Sequence, residues 1–192
     1  MAPILADLPW PRRTDRLVLR PAVPADAEPT WRRYRRLPEI RWWLSGGDAD
    51  FTSYLAKYSD PARLAATLIV EHEGTIIGDL MLRVDDLWTQ PPAPPGGVPR
   101  QAEIGWALAP SAQGNGFASE SARELLRIAF ADPRLHRVTA VCFTGNTPSW
   151  RLMERLGMRR EQHSLKDALH TSGELMDSYM YAMLAEEWRP ER

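Results

Sequence analysis

From residue 16 to residue 20 the side chains run Arg16-Leu17-Val18-Leu19-Arg20, an apolar stretch between charged ends that predicts a short strand stopped by Pro21. A helix is expected over 27–37, with Asp26 as its cap and Pro29 tolerated within the first turn. A second helix is expected over 48–57, where Phe51, Leu55 and Tyr58 are spaced to share one face. Two strand-length runs follow, 64–71 and 75–84, separated by Glu73-Gly74, a pair that predicts an antiparallel hairpin. Residues 89–99 are crowded with Pro and Gly and read as a surface loop. Alternation resumes at 103–108, helical spacing of apolar residues over 118–130, and a β-branched run over 137–143 that suits a buried parallel strand. A short helix over 146–156, ended by Gly157, precedes two closing strands at 158–165 and 176–186. The expected fold is α/β (α+β): a mixed sheet of six or seven strands with helices on both faces.

Length and composition narrow this picture. A chain of 192 residues with 44% hydrophobic and 26% charged side chains suits one domain with one core. Its expected bounds are 14–188, with an arm at 1–13 and a short tail at 189–192. A net charge of -1 offers no field for a nucleic-acid backbone. No apolar stretch approaches a membrane span and the first residues lack a secretory pattern, so a cytoplasmic protein is expected. The single Cys142 excludes an intrachain disulfide and a cysteine-rich zinc site, and reads as a small core residue.

Chemistry concentrates after the fourth expected strand. Gln113-Gly114-Asn115-Gly116-Phe117-Ala118 puts two glycines immediately before a helix, where converging backbone N–H groups and the helix N-terminus favour a phosphate or diphosphate. Phe117-Ala118 stands where a Walker loop needs Lys and Ser or Thr, and the spacing fits a dinucleotide fingerprint poorly.

The run from Ala102 to Ser121 resembles the coenzyme A loop of the GNAT family of N-acetyltransferases, in particular the branch that acetylates ribosomal-protein N-termini. The family form, Gln/Arg-x-x-Gly-x-Gly/Ala, is met by Gln113, Gly116 and Ala118, and the likeness extends to residues 14–21 and 146–158. It implies a mostly antiparallel sheet with a splayed central strand pair, and acetyl-CoA as acyl donor. On that basis the backbone of Leu108, Ala109 and Pro110 flanks the pantetheine and the N–H groups of 113–118 hold the diphosphate. Asn146 then fastens the pantetheine and Ser149 lies near the sulfur. Where many relatives place a tyrosine as thiolate acid this chain has Trp150, which cannot serve, so Ser149 or a water it positions takes that role.

Transfer to an amine requires a deprotonated nucleophile and a proton for the departing thiolate, with no metal. Glu103 is the general-base candidate, and alternation sets it on the face of Gly105 and Ala107, opposite Ile104, Trp106 and Leu108. Trp31, Tyr34, Trp42 and Trp43 are candidates for shaping an acceptor groove. None of the four histidines pairs with a nucleophile, and His163 and His170 read as solvated. The acceptor is an amine on a peptide, a protein or a small molecule such as an antibiotic or polyamine; binding of acyl-CoA without turnover is the non-enzymatic alternative. The chain is expected to act as a monomer or homodimer.

Overall fold

Eight strands form one sheet in the computed structural model, which describes residues 5, 8–44, 48, 50–92 and 100–190. In chain order they are β1 (Arg12–Arg13), β2 (Leu17–Pro21), β3 (Thr67–His72), β4 (Thr75–Asp86), β5 (Arg100–Leu108), β6 (Leu135–Phe143), β7 (Arg159–Leu169) and β8 (Leu175–Leu184). Across the sheet the order is β1-β2-β3-β4-β5-β6-β8-β7, and every neighbouring pair is antiparallel except β5 with β6. The expected mixed sheet is present, and the strand beyond the expected seven is β1, inside the segment read as an arm. That segment is docked: Arg12 pairs with Leu19 in the ladder and its Nε donates to buried Glu124, while the Trp10 indole donates to the carbonyl of buried Leu5.

Helices cover both faces. On one lie α1 (Ala27–Thr30), continued by a wide π turn over Trp31–Arg35, then α2 (Pro38–Arg41), α3 (Phe51–Tyr58) and α4 (Pro61–Ala65); on the other lie α5 (Phe117–Phe130) and α6 (Thr147–Arg155). Alternation along the strands sorts the core accordingly. Ile69 packs with Tyr54 and Tyr58 under α3, while its neighbours Leu68 and Val70 join Leu80, Ile104, Leu125 and Leu126 beneath α5. α5 buries Phe117, Ser121, Leu125 and Ile128 on one stripe and Ala122, Leu126 and Ala129 beside it, the spacing of an amphipathic helix. Each buried leucine there contributes roughly 2 kcal/mol. The β3–β4 turn is the two-residue hairpin expected, with Glu73 and Gly74 both at positive φ.

Four expectations change. Asp26 does not cap α1: its carboxylate turns back to the Val23 N–H, at the start of the short 24–26 turn, and to the Arg20 guanidinium, because pairing a buried charge outweighs a cap on α1. The 48–57 helix starts at Phe51, capped by Asp50, and buries Tyr54 and Tyr58 while Leu55 stays exposed, since residues 51, 54 and 58 also share a helical face and carry the larger rings. Residues 64 and 65, expected to open the strand over 64–71, instead end α4, because Asp60 accepts from the Arg63 N–H and Pro61 occupies the first turn. β6 is parallel to β5 only at its start and antiparallel to β8 over 137–143. The expected 89–99 loop lies largely outside the described residues. Among the described residues no helix is long and apolar enough to cross a membrane.

Candidate active site

β5 and β6 run side by side as far as Glu103 opposite Thr139 and then part. Beyond that point β5 stays paired with β4 out to Leu108 and β6 with β8 out to Phe143, so each partner pulls its strand away from the other. The facing edges of 104–108 and 140–143 therefore share no ladder, and a cleft of about 1060 Å³ runs through the gap. Glu103, Gly105 and Ala107 project to the α1–α4 side of the sheet, whereas Ile104 and Leu108 are buried toward α5, as alternation requires.

One end of the cleft is floored by the glycine loop. Gly114 and Gly116 both take positive φ, 78° and 81°, and Gly116 precedes α5 with no side-chain cap. As a result the N–H groups of residues 116–119, four in succession, have no acceptor among the described residues. Such a row of donors at the start of a fourteen-residue helix suits a diphosphate. Gln113 Nε2 donates to the Leu108 carbonyl and Asn115 Nδ2 to the Gln113 carbonyl, which brace the loop. Asn115 and Ala109 do not line the cleft: Asn115 points outward and its carbonyl accepts from Arg16, and Ala109 is buried with its N–H on the Ile77 carbonyl. Leu108, Pro110, Gln113, Gly114, Gly116, Phe117 and Ala118 do line it.

Arg16 and Glu120 tie β2 to this loop. Glu120 accepts from the Thr14 hydroxyl, the Arg16 N–H and the Arg16 guanidinium, whose plane lies 4.6 Å from the Phe117 ring centroid. Burial pushes the Glu120 carboxyl up, but the Thr14 and Arg16 hydrogen bonds outweigh it and hold the group below the ordinary glutamate value of 4.5. A carboxyl depressed in the folded state stabilises it fully above 4.5, and that contribution is lost as pH falls through the lower folded value. Urea titrations from pH 6 downward therefore show a fall in stability that Glu120→Gln reduces; an unchanged acid limb in the variant contradicts this role.

Across the gap stands α6. Asn146 precedes it with its side-chain amide free of partners among the described residues, and Ser149, one turn in, is in hydrogen-bond contact with Cys142. All three line the cleft. Cys142 had read as plain core; being next to the point where β6 leaves β5 brings it to the site, which no local pattern signals. Burial pushes its thiol up to about 11, with the Ser149 hydrogen bond opposing, so at neutral pH it stays protonated and is a poor nucleophile. The Trp150 indole donates to the Thr144 carbonyl and takes no part in the cleft.

On the α1–α4 side Glu103 is a half-buried carboxylate ion-paired with Arg83, its neighbour across the β4–β5 ladder, and its Oε1 is free among the described residues. Farther in, Asp79 accepts from the Tyr34 hydroxyl at 2.6 Å and from Arg35 Nε at 2.9 Å. Of the four aromatic candidates only Trp43 lines the cleft, where it packs over Gly145. Tyr34 is fully buried on Asp79; Trp31 packs against Phe51 and Tyr54; Trp42 stacks on His170 at 4.3 Å. His170 is itself buried, not solvated: Nδ1 accepts from the Ser172 N–H and Nε2 faces the Trp42 carbonyl, fastening the β7–β8 turn to the end of α2. Sequence reasoning missed Arg35, Asp79, Tyr58 and Arg63 as cleft residues because they come from separate elements with no shared motif.

Residues 16–159 match the family model described as an acetyltransferase (GNAT) domain. The chain belongs to this family. Among relatives of the GNAT protein, the uncharacterized N-acetyltransferase YnaD of Bacillus subtilis (strain 168) is 44% identical over 86 residues, 45% of this chain and 50% of that protein. The chain spans about half the length of the curated relatives it matches. Among solved structures, an acetyltransferase (GNAT family) from Bacillus anthracis superposes with a TM-score of 0.76 at 29% identity, covering 91% of this chain and 98% of that one. Mycobacterium smegmatis RimJ, solved in complex with CoA-disulfide, does so with a TM-score of 0.69 at 25% identity, covering 89% of this chain and 83% of that one.

Proposed function

We propose that this GNAT protein is an N-acetyltransferase that takes acetyl from acetyl-CoA and delivers it directly to a primary amine. The reading is carried by the four successive N–H groups of residues 116–119 at the mouth of an open strand gap, a donor set that fits the diphosphate of a coenzyme. That Mycobacterium smegmatis RimJ, of similar fold, was solved in complex with CoA-disulfide supports coenzyme A as the ligand. Bound there, acetyl-CoA supplies an activated acetyl thioester. The parted edges of β5 and β6 hold the extended pantetheine, with Asn146 fastening it and Ser149 at the sulfur end. Glu103, on the opposite side of the sheet from the α5 core, accepts the proton of the incoming amine, directly or through water. Ser149, or a water held by it, supplies the proton for the thiolate, since Trp150 is engaged elsewhere. The protonated Cys142 thiol argues for direct transfer rather than an acyl-cysteine intermediate.

Release of free thiol from acetyl-CoA by the purified chain, measured with a panel of peptides, aminoglycosides, polyamines and amino acids, tests the reading. Amine-dependent release supports it. Coenzyme binding without release from any amine overturns it in favour of a non-enzymatic acyl-CoA-binding protein. Gly116→Val tests the coenzyme half alone: the added Cβ meets the Arg16 guanidinium at 3.4 Å and the left-handed backbone is closed to a β-branched side chain. Re-aiming the following N–H groups weakens coenzyme binding by about 10- to 100-fold in calorimetry, equivalent to roughly 1.4–2.7 kcal/mol; preserved affinity contradicts the cradle.

A further inference from the structure

On the α1–α4 side of the cleft, two acids and two arginines are already paired, Arg35 with Asp79 and Arg83 with Glu103. Arg63, from α4, lines the same half and has no carboxylate partner among the described residues. Its guanidinium lies over two rings instead, 5.7 Å from the centroid of Tyr54 and 5.9 Å from that of Tyr58. Cation–π contacts of this kind keep the guanidinium on this wall while leaving its charge and its N–H fork unspent.

Beside it is an unusual donor. Tyr58 is 2% exposed and lines the cleft, and its hydroxyl has no hydrogen-bond partner among the described residues. Leaving a buried hydroxyl unpaired costs about 1–3 kcal/mol, a penalty relieved if a ligand atom accepts from it. Burial also raises the Tyr58 pKa, so the group remains an O–H donor across the working pH range. A guanidinium fork and a desolvated phenol on one wall form the donor set that recognises a carboxylate or a phosphate.

The ladder sets the distance. α4 leads into β3 at Thr67, whose hydroxyl donates to the Arg63 carbonyl. Thr67 is in register with Met81, Met81 with Gly105, and Gly105 lies two residues from Glu103. Two strand spacings, about 10 Å, therefore separate the base of α4 from the gap. We propose that Arg63 and the Tyr58 hydroxyl form an anion subsite for the acceptor, so that the preferred substrate is a primary amine that also carries a carboxylate or phosphate, held with its amine toward Glu103. A polyamine is disfavoured here, because Asp79 and Glu103 are each neutralised by an arginine and the remaining acid, Glu39, is exposed on α2.

The inference rests on the acetyl-transfer reading, and the experiment separates the two. Thiol release is followed with matched acceptors of graded length: ω-amino carboxylates against the corresponding amino alcohols, and phosphorylated amino alcohols against the free ones, with spermidine as the polycation. The anionic member of each pair is expected to have a kcat/KM about 10- to 100-fold higher. Arg63→Gln brings the ratio to within about threefold, Arg63→Lys keeps part of it as a point charge, and Tyr58→Phe lowers it by about fivefold. Coenzyme affinity is measured on each variant to identify any that has lost its fold. A wild-type enzyme that uses neutral amines or spermidine as well as anionic ones, or a ratio that survives Arg63→Gln, overturns the subsite and leaves acetyl transfer standing. Coenzyme binding without thiol release from any acceptor overturns acetyl transfer itself.

Discussion

Glu103→Gln lowers kcat by about 100- to 1000-fold, the range lost when a positioned general base is removed. The substitution keeps the shape and hydrogen-bonding reach of the side chain, so the loss isolates proton acceptance. Its structural cost is small. Arg83, the partner in the ion pair, is 58% exposed, and a pair of that kind contributes no more than about 1 kcal/mol. Coenzyme affinity is expected to stay within about twofold, because Glu103 is not among the groups proposed to hold that ligand, residues 116–119 and Asn146. The pH profile carries the more specific signature. With Glu103 as the proposed base the wild-type rate depends little on bulk hydroxide, whereas in the variant the rate is expected to climb at alkaline pH as the acceptor amine deprotonates in solution. Equal rates and equal profiles for the two proteins remove Glu103 from the mechanism.

Asp79→Ala is expected to lower unfolding stability by about 3–5 kcal/mol, a large part of the stability of a domain of this size. Asp79 is buried, and its two oxygens take the Tyr34 hydroxyl and the fork of Arg35, whose side chain is 16% exposed. Truncation leaves a mostly buried cation and a fully buried hydroxyl unpaired together. Urea denaturation reads this as a lower midpoint at unchanged slope. Arg35→Met on the Asp79→Ala background recovers part of the loss, since an uncompensated charge is then removed rather than stranded. A loss below about 1 kcal/mol means that water enters and solvates Arg35, and the α1–α4 wall of the cleft is then less rigid than its hydrogen bonds indicate.

The site was legible in proportion to how local its chemistry is. The glycine loop could be read directly, because Gly114 and Gly116 are needed by the backbone conformation itself and the helix that follows has a clear apolar stripe. Glu103 could be set on a face because alternation is a property of the strand alone. The wall on the α1–α4 side of the cleft could not. Trp31 and Tyr34 looked like groove residues on composition, but the choice between core and cleft depends on how α1 and α3 lie on the sheet, and packing sent Tyr34 to Asp79 and Trp31 to Tyr54. His170 looked solvated in a polar stretch and was buried by a contact with Trp42, 128 residues away.

The amino-acid order alone determined the succession of the longer elements, apart from β1, α2 and α4, together with the helix-opening glycine loop, the tight Glu73–Gly74 hairpin and the face on which Glu103 stands, since each depends on backbone preferences and periodicities spanning a few residues. Only the tertiary structure decided that β5 and β6 separate after Glu103 and Thr139, that Cys142 meets Ser149 there, and that Arg63 and Tyr58 face the resulting gap. Those outcomes come from competition among strands for ladder partners and among side chains for buried space, which is settled between residues distant in the chain.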